Sequence, residues 1–228
     1  MFYDSTYILV LIGAFIALMA QINVSSSYKK FAKVTSRSGM TGREVAERIL
    51  NGAGLYSVRI NHIGGEMTDN YDPRDNTLNL SASTYNNTSI AAIGIAAHEC
   101  GHAIQAANSY SPLVLRRMLV PVTQFSSNIA WPLVLIGLLF NNGMSSMFLF
   151  AGIICFGVAV VFQLITLPVE FDASRRAKNI LKESNIVDNN ELKGIKKVLS
   201  AAALTYVAAL AVSILNLLRI IALSNRRK

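Results

Sequence analysis

The sequence predicts a predominantly α-helical, multi-pass membrane protein of about four transmembrane helices, with a small α+β region outside the bilayer. Three observations predict it. Only 15% of the 228 residues are charged and 52% are hydrophobic, whereas soluble globular domains carry roughly 25% charged residues. The charges are bunched, leaving several runs of about bilayer length without any. Lysine and arginine also divide unevenly between the two sides that four spans would create. The net charge of +8 points to anionic lipid headgroups, and no nucleic-acid recognition motif accompanies it. The two cysteines, Cys100 and Cys155, form no spacing pattern, so a reducing compartment without a disulfide framework is expected.

The first uncharged run, 7–24, matches the roughly 17–25 residues needed to cross a bilayer. Only Asp4 precedes it, and Lys29, Lys30 and Lys33 follow. A cleaved signal peptide carries its positive charge ahead of the apolar run, so 7–24 reads as a retained anchor with its N-terminus outside. From 25 to 117 the composition turns polar. A helix over 41–50 is expected to start at Thr41, with Glu44 three residues later completing a capping box. Two alternating runs, 57–63 and 77–83, flank the turn-rich "GGEMTDNYDPRDN" and read as a hairpin with a long loop. The proline-free, alanine-rich stretch 89–107 reads as a helix capped by Thr88 or Ser89.

Three more spans follow. The second, 119–140, carries Thr123, Gln124, Ser126, Ser127 and Asn128 near its start, a polar stripe that must face protein or water. After the uncharged turn "NNGMSS" comes the third, 147–167, punctuated by Pro168 and followed by a basic amphipathic helix over 169–182. The fourth is 199–223, with Arg219 near its end. The chain thus reads as one membrane-integrated domain over 1–228. Its polar segments, 25–117 and 168–198, share one face with Arg116 and Arg117. With the N-terminus outside, this inner face holds 17 of the 21 lysines and arginines, as the positive-inside rule requires. The basic tail "NRRK" is discordant with that arrangement.

Within 89–107 stands "HECGH", an H-E-x-x-H pattern formed by His98, Glu99 and His102. Four residues on a helix advance the direction by about 400°, so both imidazoles project to one side and can bind one Zn²⁺. Glu99 then lies beside the ion, where its carboxylate can take a proton from an attacking water. The pattern is short, but it sits on a predicted helix, strand-like runs precede it, and it holds two of the chain's three histidines. A catalytic zinc needs a third protein ligand and an open position. Position 108 is Asn, so the third histidine of the longer H-E-x-x-H-x-x-G-x-x-H pattern is missing. His62, the other histidine, lies on a strand-like run and reads as a surface residue. A carboxylate is therefore expected, and Glu170 in "LPVEFDASRRA" is the best placed. Two crossings separate it from His102, which returns it to the same face.

"YDPRDNTLNLS", "SIAAIGIAAHECGHAIQ" and "LPVEFDASRRA", in this order among these spans, resemble the YugP-like family of bacterial membrane neutral zinc metallopeptidases. The resemblance covers essentially the whole chain. It implies a zincin-like metalloprotease region with one catalytic Zn²⁺, His98 and His102 as ligands and Glu99 as base. More distantly the layout is similar to membrane gluzincins of the HtpX type, whose third ligand is a glutamate on a later helix; carried over, this selects Glu170. Those relatives place an aspartate about four residues after that glutamate, whereas position 174 is Ser here and the nearby acid is Asp172. Residues two apart face different sides of a helix, so Asp172 stands either as a supporting partner of a histidine or as the ligand itself.

Gly101 costs roughly 1 kcal/mol relative to Ala in a helix, which suggests close packing there. Cys100 should face away from the metal. Arg175 and Arg176 are candidates for gripping a substrate carboxylate or steadying a transition state, or else for contacting anionic headgroups. Tyr85 and Tyr110 flank the motif helix. The expected function is a zinc-dependent membrane endopeptidase acting on peptide or membrane-protein substrates at the cytoplasmic face. Two alternatives stand beside it: an intramembrane protease, and a non-enzymatic scaffold with a structural metal.

Overall fold

The structure is a computed structural model that describes residues 5–140 and 143–225. It is mostly helical, with seven helices and three short strands among the described residues. Four helices are long and apolar enough to cross a membrane: α1 (Tyr7–Phe31), α5 (Ser111–Leu139), α6 (Gly143–Glu183) and α7 (Asn189–Asn225). Each expected span lies on one of them, except that Phe140 ends the second just beyond α5. Asp4, Asn141 and Asn142 of the expected turn, and 226–228 of the basic tail lie outside the described residues.

The chain divides into two compact units. One contains the described parts of Met1–Gln21, Val114–Leu167 and Thr205–Lys228. Here Val134, Leu149 and Ile220 form a small buried cluster. Arg219 lies 4.5 Å from the Tyr7 ring centroid, a cation–π contact that stabilises a charge at apolar surroundings. The polar stripe of α5 is open: Thr123, Gln124, Ser127 and Asn128 line a groove of about 440 Å³ with Phe162.

The other unit joins Ile22–Leu113 to Pro168–Leu204. Helix α2 (Gly42–Gly52) starts at Thr41 with the expected capping box: the Glu44 amide donates to Thr41 Oγ1 at 3.2 Å and the Thr41 amide donates to Glu44 Oε2 at 2.7 Å. Strands β1 (Arg59–Ile63), β2 (Asn70–Asp72) and β3 (Thr77–Ser81) form a sheet in the order β1-β3-β2. Here the hairpin expectation is corrected. The two alternating runs do pair, Arg59 with Thr77 and Ile63 with Ser81, but in parallel. The antiparallel partner of β3 is β2, hidden inside the turn-rich stretch. Asp72 explains why: it closes a tight turn by accepting from the Arg74 backbone N–H at 2.9 Å, so Asp72–Asn76 turn β2 straight into β3. Parallel strands cannot be joined by a short turn, and β1 reaches the far edge of β3 only after the chain has passed through β2.

Helix α3 (Ala82–Tyr85) follows β3, and α4 (Ile90–Ala107) carries the motif. Its cap is Ser89, whose hydroxyl accepts from the Ala92 amide at 3.2 Å. Eleven of its 18 residues are buried, among them Ile93, Ala96, Ala97 and Cys100. They pack with Val45, Ile49 and Leu50 of α2, Leu78 and Leu80 of β3, Leu181 of α6 and Ile195 of α7. The apolar "SIAAIGIAA" stretch is thus the core of this unit.

A second expectation is corrected at Pro168. It does not end a helix: α6 runs unbroken from Gly143 to Glu183 through it. A proline removes one i→i−4 hydrogen bond, but helices in apolar surroundings tolerate this where other groups satisfy the backbone. Two side chains donate to other α6 carbonyls near it, neither being the Leu164 carbonyl that loses its helical donor: Thr166 to the Phe162 carbonyl at 2.8 Å and Gln105 to the Val169 carbonyl at 2.8 Å. The boundary between the two units falls at this proline. Helix α7 likewise starts ten residues before the expected fourth span, with Glu191 in its first turn.

Candidate metal centre

Helix α4 presents His98 and His102 side by side, their rings edge to face with centroids 4.8 Å apart. Helix α6 brings Glu170 to both. Its Oε2 lies 3.3 Å from His98 Nε2 and 3.6 Å from His102 Nε2. Bonds of about 2.1 Å to a tetrahedral zinc would hold ligand atoms about 3.4 Å apart, so the donor set and its spacing fit that ion. His98, His102 and Glu170 offer ligand atoms all within 4.8 Å of one another. No metal ion is part of this structure.

The far nitrogens of both rings are also held. His98 Nδ1 is 3.1 Å from Ser174 Oγ, and His102 Nδ1 is 3.0 Å from Gln105 Oε1. Such supporting bonds orient a metal-binding imidazole and set which nitrogen is free. Neither Ser174 nor Gln105 was expected from the sequence, yet both had a signal: Gln105 lies three residues after His102, and Ser174 four after Glu170. Those spacings put each on the same helix face as its neighbour.

Asp172 is turned elsewhere. Its carboxylate accepts from Arg176 Nε at 2.6 Å, from Gln105 Nε2 at 3.0 Å and from Arg175 Nη2. Asp172 therefore reaches His102 through Gln105, and Glu170 is the carboxylate at the imidazoles. Arg175 and Arg176, considered above as substrate contacts, are both directed to Asp172. Arg176 also lies over the Tyr110 ring, 5.8 Å from its centroid.

The remaining candidates separate clearly. His62 packs on Tyr85 with ring centroids 4.9 Å apart and is not part of the cluster. The Cys100 thiol points away, toward the Ala46 carbonyl at 3.7 Å, and burial pushes its pKa up. Glu99 makes no hydrogen bond among the described residues. Burial raises its pKa above the ordinary carboxylate value, opposed by the neighbouring His102 and His98. Gly101 permits the whole arrangement: a Cβ there would stand 2.7 Å from the Ala173 carbonyl oxygen. Beside Ser174, a groove of about 260 Å³ runs between α6 and α7, with Phe171, Leu199, Ala203 and Leu204 as apolar lining and Lys178 as its charged group.

The family described as "Putative neutral zinc metallopeptidase" matches residues 6–225. The chain is also 48% identical over 206 residues to the Bacillus subtilis (strain 168) protein named "Putative membrane protease YugP", covering 90% of each. No solved structure matches the chain. This chain belongs to that zinc metallopeptidase family.

Proposed function

We propose that this family member is an endopeptidase that hydrolyses peptide bonds in peptides or membrane proteins at the cytoplasmic face of a bacterial plasma membrane. The observation that carries this reading is the placement of Glu170 against both His98 and His102 at zinc-ligand spacing, with Glu99 next to His98 on α4. His98, His102 and Glu170 would hold one Zn²⁺. Three protein ligands leave a position open, the arrangement of catalytic rather than structural zinc. When bound, zinc supplies Lewis acidity, polarising a carbonyl and lowering the pKa of water to about 7.

The chain's own groups do the rest. Glu99 takes the proton of the attacking water and returns it to the leaving amine, a role suited to a carboxylate that makes no hydrogen bond among the described residues. Ser174 and Gln105 hold the two rings in place. The positive-inside distribution of lysine and arginine supports the cytoplasmic placement. The burial of α4 within its own unit favours a site beside the membrane over one at its centre, since α4 is not among the four candidate spans.

The test is Glu99→Gln. It keeps the shape of the side chain and removes the base. Peptide cleavage should fall by about 10²–10⁴-fold, the usual contribution of a positioned acid–base group, with zinc content unchanged. Undiminished cleavage by this variant would sink the mechanism. One zinc per chain, without hydrolysis of any peptide tried by wild type, would favour a scaffold.

A further inference from the structure

Gln105 is fully buried in α4, and its three hydrogen bonds leave it a single orientation. Its amide nitrogen lies 2.8 Å from the Val169 carbonyl and 3.0 Å from Asp172 Oδ2. A carbonyl accepts only, and so does a carboxylate flanked by two guanidinium groups. The nitrogen must therefore face these two acceptors, and the carboxamide oxygen must face His102 Nδ1, 3.0 Å away. An oxygen of this kind accepts only, so Nδ1 must carry the ring proton. A neutral imidazole has one such proton. In the neutral ring His102 Nε2, the atom that faces Glu170, is then left with its lone pair even though a carboxylate beside it favours the opposite tautomer.

We propose that Gln105 is a positioning residue that locks the neutral His102 ring, the form that binds a metal, in its Nδ1–H tautomer, and that Asp172 acts on the site through Gln105. The clamp of Arg175 and Arg176 on Asp172 is the outer part of this device. His98 lacks it. Its partner, the Ser174 hydroxyl, rotates and serves as donor or acceptor alike, so it fixes the ring's position but not its tautomer. The meaning given to the lock rests on the zinc site proposed above, but its first readout needs neither metal nor activity.

The experiment is ¹⁵N NMR of the full chain, labelled at histidine, in detergent micelles. The protein is zinc-free, and the pH is raised until the His102 ring carries a single proton. Three histidines make assignment by single substitution practical. His102 should show a protonated Nδ1 and an unprotonated Nε2, and Gln105→Met should convert this to a mixture of tautomers. Zinc affinity, measured by competition with a chromophoric chelator, should weaken by about 10–100-fold in Gln105→Met, the usual effect of losing such a partner. Asp172→Asn should weaken zinc binding in the wild-type background and add nothing in the Gln105→Met background. A wild-type His102 with its proton on Nε2 overturns the proposal, and this spectrum needs no variant to fold. So does a full Asp172→Asn effect after Gln105 is gone. Absence of peptide hydrolysis with the tautomer and affinity results intact would instead reject the peptidase reading and leave the lock standing.

Discussion

Replacing Gly101 by alanine sets two effects of opposite sign against each other. In an open helix the change is favourable, because alanine is preferred over glycine by about 0.8–1.0 kcal/mol. In α4 the new Cβ would lie 2.7 Å from the Ala173 carbonyl oxygen, 3.1 Å from its Cα and 3.2 Å from its carbonyl carbon. All three are backbone atoms, so no side chain can swing aside. Ordinary contact begins near 3.4 Å, and α4 and α6 must therefore part locally by about 0.7 Å. Overpacking of this kind costs typically about 1–3 kcal/mol, which equals or exceeds the propensity gain. The net expectation is a loss of up to about 2 kcal/mol. The displacement also acts on the site, since Gly101 lies between His98 and His102 while Ala173 lies between Glu170 and Ser174. Zinc–ligand distances tolerate only about 0.2 Å, so zinc affinity should fall by about tenfold or more. Denaturant unfolding of the zinc-free protein in detergent measures the first effect, and chelator competition the second. Gly52→Ala is the control, because nothing lies within 4 Å of a Cβ there. If Gly101→Ala is stabilised like this control and binds zinc like wild type, the packing argument is wrong.

Glu170→Ala should weaken zinc binding by more than the about 10–100-fold expected for Asp172→Ala, and equal losses would contradict the assignment of Glu170 as ligand. Cys100→Ala should leave zinc affinity unchanged, because the thiol points to Ala46; a large loss in chelator competition would contradict that placement. Thr41→Ala removes the α2 cap and should cost about 1 kcal/mol in denaturant unfolding without altering zinc affinity. Hydrogen bonds from the Thr41 backbone N–H, and then its side chain, hold Glu44 below the ordinary carboxylate value. A depressed carboxylate stabilises above its unfolded pKa and loses that stabilisation as pH falls through its folded one. The stability difference between wild type and Glu44→Gln should therefore shrink as pH drops below about 4, and a difference that grows on acidification would contradict the cap.

Local spacing made much of this molecule legible. The spans follow from charge-free runs, because a bilayer core excludes unpaired charge whatever the rest of the chain does. The caps at Thr41 and Ser89 were readable because capping is completed within three residues. The strand pairing was not, since alternation shows which runs are strands but not which edge each one meets. Three residues of β2 inside a turn-rich stretch reversed the expected partner of β3. Pro168 misled for a related reason: its local cost, one helical hydrogen bond, is real, but α6 continues through it to Glu183. Gln105 and Ser174 carried a same-face signal that acquires meaning only once α4 and α6 are side by side.

The sequence by itself determined that His98 and His102 share a direction with Glu99 beside them, because the α-helical period fixes residues four apart whatever surrounds them. It also placed Glu170 and Asp172 near one another at the end of a span. It could not choose between them, as both are carboxylates two residues apart on one helix. Only the tertiary structure decided which of them faces the two imidazoles, through the rotation of α6 about its own axis. The backbone of Ala173 lies against Gly101, which turns Glu170 to the two Nε2 atoms and leaves Asp172 to Gln105 and the arginines. That rotation is a property of helix packing, set by contacts between residues more than 60 positions apart in the chain.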